Sequence, residues 1–354
     1  MPFPILCTPF IVQSEIISIL QPNEIVTASF CSKTVQRLLK GHYQRRKPME
    51  WKLIMRDLDS TGTVGIETTE DDELIDVLSA EHISQLDRSM LIPSKRHVAT
   101  FDTEHSFPVI YLEDRVRAVK WIVDYVTDLF NLDVYGLEID SEGIWAIDWI
   151  KNRQEKMLKC FYWNGDEATM DYVLRNARAS ERYTLIGKFS DNYRFDGILG
   201  PGNNLLIYSI GNWVTVDNLM NFDFASIVVS GCRFSVPDLH TFIGHWLNGG
   251  SPRLTVLRLE FEIYTIFGQL DFEIFENQLE IVERDIVGEF RLSGGGTWRF
   301  NEGYSIQRND GVKAVLVFNE DYFVLTVCIG EDVYDRDNYS KHNSDQLFVL
   351  NQNV

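Results

Sequence analysis

The spacing of apolar residues divides the chain into stretches of different character. In the first, apolar positions recur at helical intervals: Ile16, Ile17 and Leu20, then Ile25, Val26 and Phe30, then Val35, Leu38 and Leu39. Pro9 and Pro22 stand thirteen residues apart and mark helix starts, where a missing N–H costs nothing. Three helices this short bury too little surface to offset chain entropy. Their apolar faces therefore need a partner, either the rest of the chain or another protein. Lys47-Pro48 closes the stretch.

From 108 to 268 the pattern repeats. Short apolar strands are predicted at Val109–Leu112, Val134–Ile139, Lys159–Trp163, Arg182–Ile186, Asn204–Tyr208, Ser226–Ser230 and Leu254–Glu260. Their starts are 25, 25, 23, 22, 22 and 28 residues apart. Helical patterns lie between them: Val116, Val119, Ile122, Val123, Val126 and Phe130; Ile147, Ile150 and Met157; Met170, Val173 and Leu174; Leu239, Phe242, Ile243, Trp246 and Leu247. The last helix is well bounded. Ser235-Val236-Pro237-Asp238 supplies a capping serine with an acid three residues on, and Asn248-Gly249-Gly250-Ser251-Pro252 supplies the stop. A strand–helix unit of this length has the period of a leucine-rich repeat, although the strict leucine consensus is absent. Such a unit cannot bury its own apolar face, so neighbours stack into a solenoid with a parallel sheet. A doubly wound α/β sheet shares the alternation; the short, regular period favours the solenoid.

The segments on either side read differently. Residues 47–107 are expected to be a linker. It would hold strands at Trp51–Arg56 and Gly62–Thr68, a helix from Glu70-Asp71-Asp72-Glu73 through Leu78, and then loop with a short helix. Residues 269–330 are expected to form a helix, Leu270–Ile286, and an antiparallel meander. Its strands are Glu289–Leu292, Thr297–Phe300, Tyr304–Arg308, Lys313–Phe318 and Phe323–Ile329. The Asp310-Gly311 hairpin signal supports it, and the meander would cap the open end of the repeats. Residues 331–354 read as a polar tail. The expected fold is thus α/β: a three-helix unit over 1–46, a leucine-rich-repeat-like solenoid and a C-terminal antiparallel β cap.

Composition narrows the function classes. No apolar run reaches the length of a membrane span. The N-terminus is apolar but has three prolines and no basic region, so no signal peptide is expected. Five scattered cysteines without a Cys-x-x-Cys pair indicate neither a disulfide framework nor zinc, and suit a cytoplasmic or nuclear protein. The net charge of −19 disfavours nucleic acid as a partner. The charge is uneven. Residues 1–50 hold six Lys and Arg against three acids, leaving −22 on the rest. Arg45-Arg46-Lys47 reads as a helix C-terminus favoured by its dipole.

Catalytic signatures are absent. There is no Gly-x-Gly-x-x-Gly, Walker, Gly-x-Ser-x-Gly or His-Glu-x-x-His motif. Gly294-Gly295-Gly296 leads into a strand rather than a helix N-terminus, so it reads as a hairpin loop. His240 and His245 lack the i, i+4 spacing of a helical zinc pair. The acids Asp133, Glu138, Asp140, Glu142 and Asp148 are no denser than a chain with 52 acids leads one to expect. No catalytic, cofactor-binding or metal-binding residue is therefore expected. Aromatic residues in and beside the strands are candidates for a protein-binding face: Tyr135, Tyr162, Tyr183, Tyr208 and Trp213. Alternation puts Tyr162 and Trp163 on opposite faces, so at most one of them can lie on a given surface.

Several stretches together resemble one family, the nematode F-box proteins that carry the F-box-associated domain of the second type. They are FPIL with the following Pro-Phe at the start, Ser32-Lys33 with Arg37-Leu38-Leu39, VTDLFNLDVYGLEID at 126–140, AIDWIKNRQEKMLKC at 146–160, NWVTVDNLMNF at 212–222, HWLNGGSPRL at 245–254 and IQRNDG at 306–311. The resemblance implies a non-catalytic substrate receptor of an SCF-type ubiquitin ligase. The F-box would bind a Skp-type adaptor, and through it a cullin, while the remainder holds a client protein. Pro9 matches the proline of the motif's opening Leu-Pro, and Ile16, Leu20, Pro22 and Ile25 match its later positions. With the adjacent Ile17 and Val26 they form the expected adaptor-binding set, in which each buried Ile or Leu would contribute about 1.5–3 kcal/mol. The sequence departs from the family at Thr8, where leucine is usual, and is more polar at Gln13 and Ser14. The alternative is a repeat-based interaction module, without ligase association, whose N-terminal helices pack on its own repeats.

Overall fold

Three helices stand where the apolar spacing predicts them: α1 (Phe10–Ser18), α2 (Pro22–Cys31) and α3 (Lys33–Arg45). Pro22 occupies the first turn of α2, and the Glu24 carboxylate caps it by accepting from the Gln21 N–H at 2.9 Å. Ser32 caps α3 by accepting from the Val35 N–H. The computed structural model describes residues 8–46, 50–68, 73–86, 98–101, 106–187, 189–190, 192–208, 211–261, 279–284, 286–291, 297–300, 302–318 and 321–328.

Next come β1 (Lys52–Leu58), β2 (Thr61–Glu67), β3 (Leu74–His82), β4 (Val98–Phe101), β5 (Pro108–Leu112) and α4 (Arg115–Phe130). The strand–helix region follows: β6 (Val134–Ile139), α5 (Trp145–Arg153), β7 (Met157–Gly165), α6 (Glu167–Asn176), β8 (Ala179–Gly187), β9 (Leu199–Tyr208), α7 (Val216–Asn221), β10 (Phe222–Cys232), α8 (Val236–Leu247) and β11 (Val256–Phe261). The C-terminal strands are β12 (Gly288–Arg291), β13 (Thr297–Phe300), β14 (Tyr304–Gln307), β15 (Lys313–Phe318) and β16 (Tyr322–Val327).

Fourteen strands form one sheet, in the order β14-β15-β16-β11-β10-β9-β8-β7-β6-β1-β2-β3-β5-β4. From β6 to β11 all neighbours are parallel and follow chain order, with no reversal of the kind that marks a doubly wound sheet. The order breaks on the other side of β6. The antiparallel meander β1–β2–β3 is inserted there, with β1 parallel to β6 and β3 parallel to β5. Helix α4 therefore carries the chain from β5 to β6 across β3, β2 and β1. It covers them with Ala118, Val119, Ile122, Val123, Val126 and Phe130, all buried. The segment expected as a linker thus supplies four strands of the common sheet.

The three N-terminal helices find their partner in this same sheet. Ile17, Ile25, Val26, Leu39 and Tyr43 belong to the core that contains the strands and α4. Phe30 stacks on Tyr125 of α4 with ring centroids 4.8 Å apart, and the Ser29 hydroxyl lies 2.7 Å from the Tyr125 phenol. Tyr43 packs edge-on against Phe130 at 5.0 Å, and Trp51 does the same at 5.3 Å.

Three expected elements differ. The helix running to Leu78 is instead β3 from Leu74 onward; the acids 70–72 lie outside the described residues. Val77, Leu78, Ser79 and Ala80 are all buried in a strand held between β2 and β5, and a continuous buried run carries no period to separate strand from helix. Met157, expected on a helix, opens β7 after Gln154 has closed α5. Of the expected helix 270–286, residues 270–278 lie outside the described residues. From Leu279 the chain is not helical, and Glu283 bridges Ser305 instead, with the Val282 N–H donating to the Ser305 carbonyl at 2.8 Å. The antiparallel cap is present. β16 pairs with β11 and extends the sheet through β15 and β14. β12 and β13 form a separate two-stranded antiparallel sheet, and Phe300 joins Ile286, Val315, Val317 and Val324 in a small second core.

Candidate interaction surfaces

In the parallel region residue parity decides what a strand presents. Leu137 and Ile139 of β6, Cys160 and Tyr162 of β7, Tyr183 and Leu185 of β8, Leu205 and Ile207 of β9, Ile227 and Val229 of β10, and Leu257 and Leu259 of β11 are buried under the helices. The Tyr162 phenol meets Thr169 of α6, and the Tyr183 phenol donates to the Val173 carbonyl of α6 at 2.8 Å. Residues of the opposite parity form an open face that no helix covers among the described residues. One row across it runs Gly136–Lys159–Arg182–Asn204–Ser226–Val256; the next runs Arg56–Glu138–Phe161–Thr184–Leu206–Val228–Arg258. Beyond them, Trp163, Ile186 and Tyr208 stand side by side on β7, β8 and β9.

This face is largely satisfied within itself. Glu67 receives Lys52 at 2.9 Å and Lys159 at 2.8 Å, and both ammonium groups lie over the Tyr135 ring, at 5.1 and 5.3 Å. Burial would raise the Glu67 carboxyl, but the two lysines outweigh it and hold it below the usual carboxylate range. The Tyr135 phenol donates to Glu181 and is shifted upward, by burial first and by that carboxylate second. Arg56 pairs with Asp76, and Arg258 with Glu260 at 2.7 Å. Glu138 is the exception. It is half-buried and accepts no hydrogen bond among the described residues. Burial pushes its carboxyl up against the through-space pull of Arg56 and Lys159.

The expected protein-binding aromatics therefore divide. Tyr208 stands on the open face, 38% exposed; Tyr135 shares the parity of Leu137 but lies half-buried at the open face, because the β1–β6 register shifts opposite it, between Leu53 and Ile54. Tyr162 and Tyr183 are core residues on the helix side. Trp213 is fully buried, ringed by Phe189, Tyr193, Phe195 and Phe222 at 5.3 to 6.5 Å. Phe161 and Trp163 take their place on the surface. The signal was available: Lys159 marks the outer parity of β7 and so assigns Phe161 and Trp163 outward with it, while Cys160 marks the inner parity shared by Tyr162.

A second surface lies on α1. Ile17 and Ser14 face inward, while Phe10, Ile11, Val12 and Ile19 are exposed, Ile11 to 74% and Ile19 to 77%. Of the expected adaptor-binding set, Pro9 is exposed, and Ile16 and Leu20 are half-buried. Ile17, Pro22, Ile25 and Val26 are buried within the chain itself.

Where the inserted meander meets the parallel strands, Asp57 at the end of β1 is fully buried. Its carboxylate accepts from Arg115 of α4 and from the Trp145 indole N–H at 2.9 Å. Burial raises its pKa to about 6 despite these two donors, and Asp140 and Glu142 add to the rise. Among the described residues no group of His, Cys, Asp or Glu is placed to hold a metal ion, and no helix is long and apolar enough to cross a membrane.

Two of the distinctive sequence stretches meet in space. In HWLNGGSPRL, the Gly249 N–H reaches the Trp246 carbonyl and the Gly250 N–H the His245 carbonyl, each at 2.9 Å, with Gly249 at φ +90°. The Arg308 guanidinium of the RNDG hairpin lies over the Trp246 ring at 5.4 Å and pairs with Asp310 at 2.6 Å. That contact ties the antiparallel cap to α8. No curated protein and no solved structure matches the chain. Residues 198–259, which span β9 to β11 with α7 and α8, match the family model described as F-box associated, so this chain carries a segment similar to that domain.

Proposed function

We propose that the chain is the non-catalytic substrate-recognition subunit of an SCF-type ubiquitin ligase, acting in the cytoplasm or nucleus. The observation that carries this reading is the F-box associated match over 198–259, in a chain that opens with three helices. The N-terminal helices dock on a Skp-type adaptor, and through it a cullin; the open sheet face holds the client. The strand–helix region is read as a leucine-rich-repeat-like solenoid, a reading supported by six parallel strands in chain order. Exposure selects the adaptor-facing residues: Pro9, Ile16 and Leu20 from the expected set, joined by Phe10, Ile11, Val12 and Ile19. Ile17, Pro22, Ile25 and Val26 act from beneath, by fixing the helices on the body of the protein.

One observation favours a second reading, an interaction module without ligase association. The inner faces of the helices are already buried on α4 and β3, so part of the need for a partner is met within the chain.

The deciding experiment is co-purification with a recombinant Skp-type adaptor. Wild type should retain the adaptor, and the double variant Ile11→Asp/Ile19→Asp should lose it while keeping its thermal midpoint. Should wild type retain none, or the double variant retain as much, the ligase reading falls and the second one stands.

A further inference from the structure

A hollow of about 310 Å³ lies at the edge of the sheet where the parallel strands begin. Its walls are Met157 of β7, Ala179 and Tyr183 of β8, Leu199 of β9 and Phe224 of β10. All five belong to the main core, and the Tyr183 phenol is already committed to the Val173 carbonyl. Glu155, Lys156 and Arg178 stand exposed around the opening, so both signs of charge are present and neither selects an occupant. The apolar walls do select one: an apolar side chain gains by leaving water there. The chain leaves the described sheet at the same edge, because β16 runs antiparallel to β11. The Val327 N–H donates to the Thr255 carbonyl at 2.8 Å, and the Thr255 N–H to the Ala225 carbonyl at 2.7 Å, one residue from Phe224. With strands about 4.8 Å apart, the hollow begins about 10 Å from Val327 and ends, at Met157, about 24 Å away.

Residues 329–354 lie outside the described residues. Their longest apolar run is Leu347-Phe348-Val349-Leu350, in a segment otherwise rich in acids, amides and serine. Such a run left in water is a liability unless something covers it. Eighteen residues separate it from Cys328, which lets it reach at most about 65 Å, more than the far wall requires. We propose that this hollow is an intramolecular docking site for the chain's own Leu347–Leu350, with Phe348 as the largest side chain to be buried. Tethering decides the occupant. A ligand whose linker spans its site acts at an effective concentration on the order of 1 mM, above that of a second copy or a free client. Docking there fixes the segment after β16 to β7–β10, and so to the family-matched stretch 198–259 that supplies Leu199 and Phe224. The proposal depends on neither the adaptor nor the client reading.

The test uses the full-length chain with labelled methyl groups. Phe348→Asp should shift the Met157, Leu158 and Leu199 methyls at the hollow and leave those of Val64 and Ile66 on β2 in place. A synthetic peptide of residues 341–354 should bind the Phe348→Asp chain saturably and return the hollow methyls toward their wild-type positions. It should bind wild type at least about tenfold more weakly, because the tethered run already holds the site. Ser180→Trp, at an exposed position lining the hollow, should weaken peptide binding to the Phe348→Asp chain at least about fivefold by filling the space. Dilution should leave the wild-type spectrum unchanged. Hollow methyls that ignore Phe348→Asp, a peptide that binds neither chain or both equally, or binding indifferent to Ser180→Trp would each overturn the proposal. So would a wild-type spectrum that moves toward that of Phe348→Asp on dilution, the sign of a second copy as occupant.

Discussion

The N-terminal helices and the parallel strands both have one covered and one uncovered side, but they treat the uncovered side in opposite ways. On the sheet, the open face is a mosaic in which Glu67 serves two lysines, Arg56 serves Asp76, and aromatic rings stand among them. On α1 the open side is bare apolar surface, Ile11, Val12 and Ile19, without such pairing. A mosaic of satisfied polar groups is stable in water as it stands and can exchange one partner for another. A bare apolar patch gains only by being covered, at roughly 25 cal/mol per Å². The contrast suits a constant partner for α1 and a variable one for the sheet.

The sharpest way to break this comparison is to place the same charge on the two sides of the helical unit. Ile25 is fully buried against the sheet, so Ile25→Asp leaves an unpaired carboxylate in the core and should cost more than about 4 kcal/mol, enough to unfold the chain. Ile19→Asp, on the outer side, should change stability by less than about 0.5 kcal/mol. Denaturant melts of the two variants read this directly. Equal losses would mean that the outer side of α1 is also packed, and the proposal of an adaptor surface there would fall.

Next in size is the pair Tyr162 and Trp163, neighbours in sequence and opposite in parity. Tyr162→Ala removes a fully buried ring and its phenol contact with Thr169, at a cost of about 3–5 kcal/mol. Trp163→Ala removes a ring that is 38% exposed and stacked on Phe161, and should cost about 1 kcal/mol. If the two costs came out reversed, the assignment of faces would be wrong throughout β7 to β9.

That pair also shows what the sequence made legible and what it did not. Every strand from β5 to β11 is visible in the apolar pattern, and so are α4, α6 and α8, because each element's local period matches the surface it buries. Which aromatic faces outward is legible only by following parity from a charged neighbour, as Lys159 does for Trp163 and Arg182 does for Tyr183. The nature of an aromatic ring does not decide its side, since Tyr162 and Trp163 serve equally well in a core. The insertion of β1–β2–β3 between β5 and β6 could not be read locally. Strand pairing at that distance depends on contacts far apart in sequence, and β3 is a buried run without a period. The same insertion hid the fate of the N-terminal helices, whose covering surface, α4 over β3, forms only once the crossover is made.

At the seam between the inserted meander and the parallel strands, acidity offers a smaller test. The Asp57 pKa is about 6 when folded, against an ordinary value of 3.8, so the folded state holds this proton more tightly than the unfolded state. Its contribution to stability is therefore greatest below about pH 4 and is lost as the pH rises through 6. Between pH 7 and 5 wild type should gain on the order of 1 kcal/mol from this group. Asp57→Asn, which cannot titrate, should show a flatter pH dependence whatever its absolute stability. A slope identical in the two proteins would remove Asp57 from the account of the seam.

The smallest expected effect concerns what holds the helical unit to the body. Lys40 of α3 pairs with Asp128 of α4 at 2.5 Å, but the side chains are 35% and 63% exposed. Such a pair gains little in high dielectric and is screened by salt. A double-mutant cycle with Lys40→Ala and Asp128→Ala should give a coupling of about 0.2–1 kcal/mol at low salt, fading at high salt. The attachment then rests on Ile25, Val26, Phe30 and Tyr43, whose burial against the sheet and α4 salt does not weaken. A coupling above about 2 kcal/mol would invert that picture. The helices would then be held by a charge contact that an acidic or basic partner could compete away, and α1 to α3 would behave as a detachable arm rather than a fixed shoulder of the sheet.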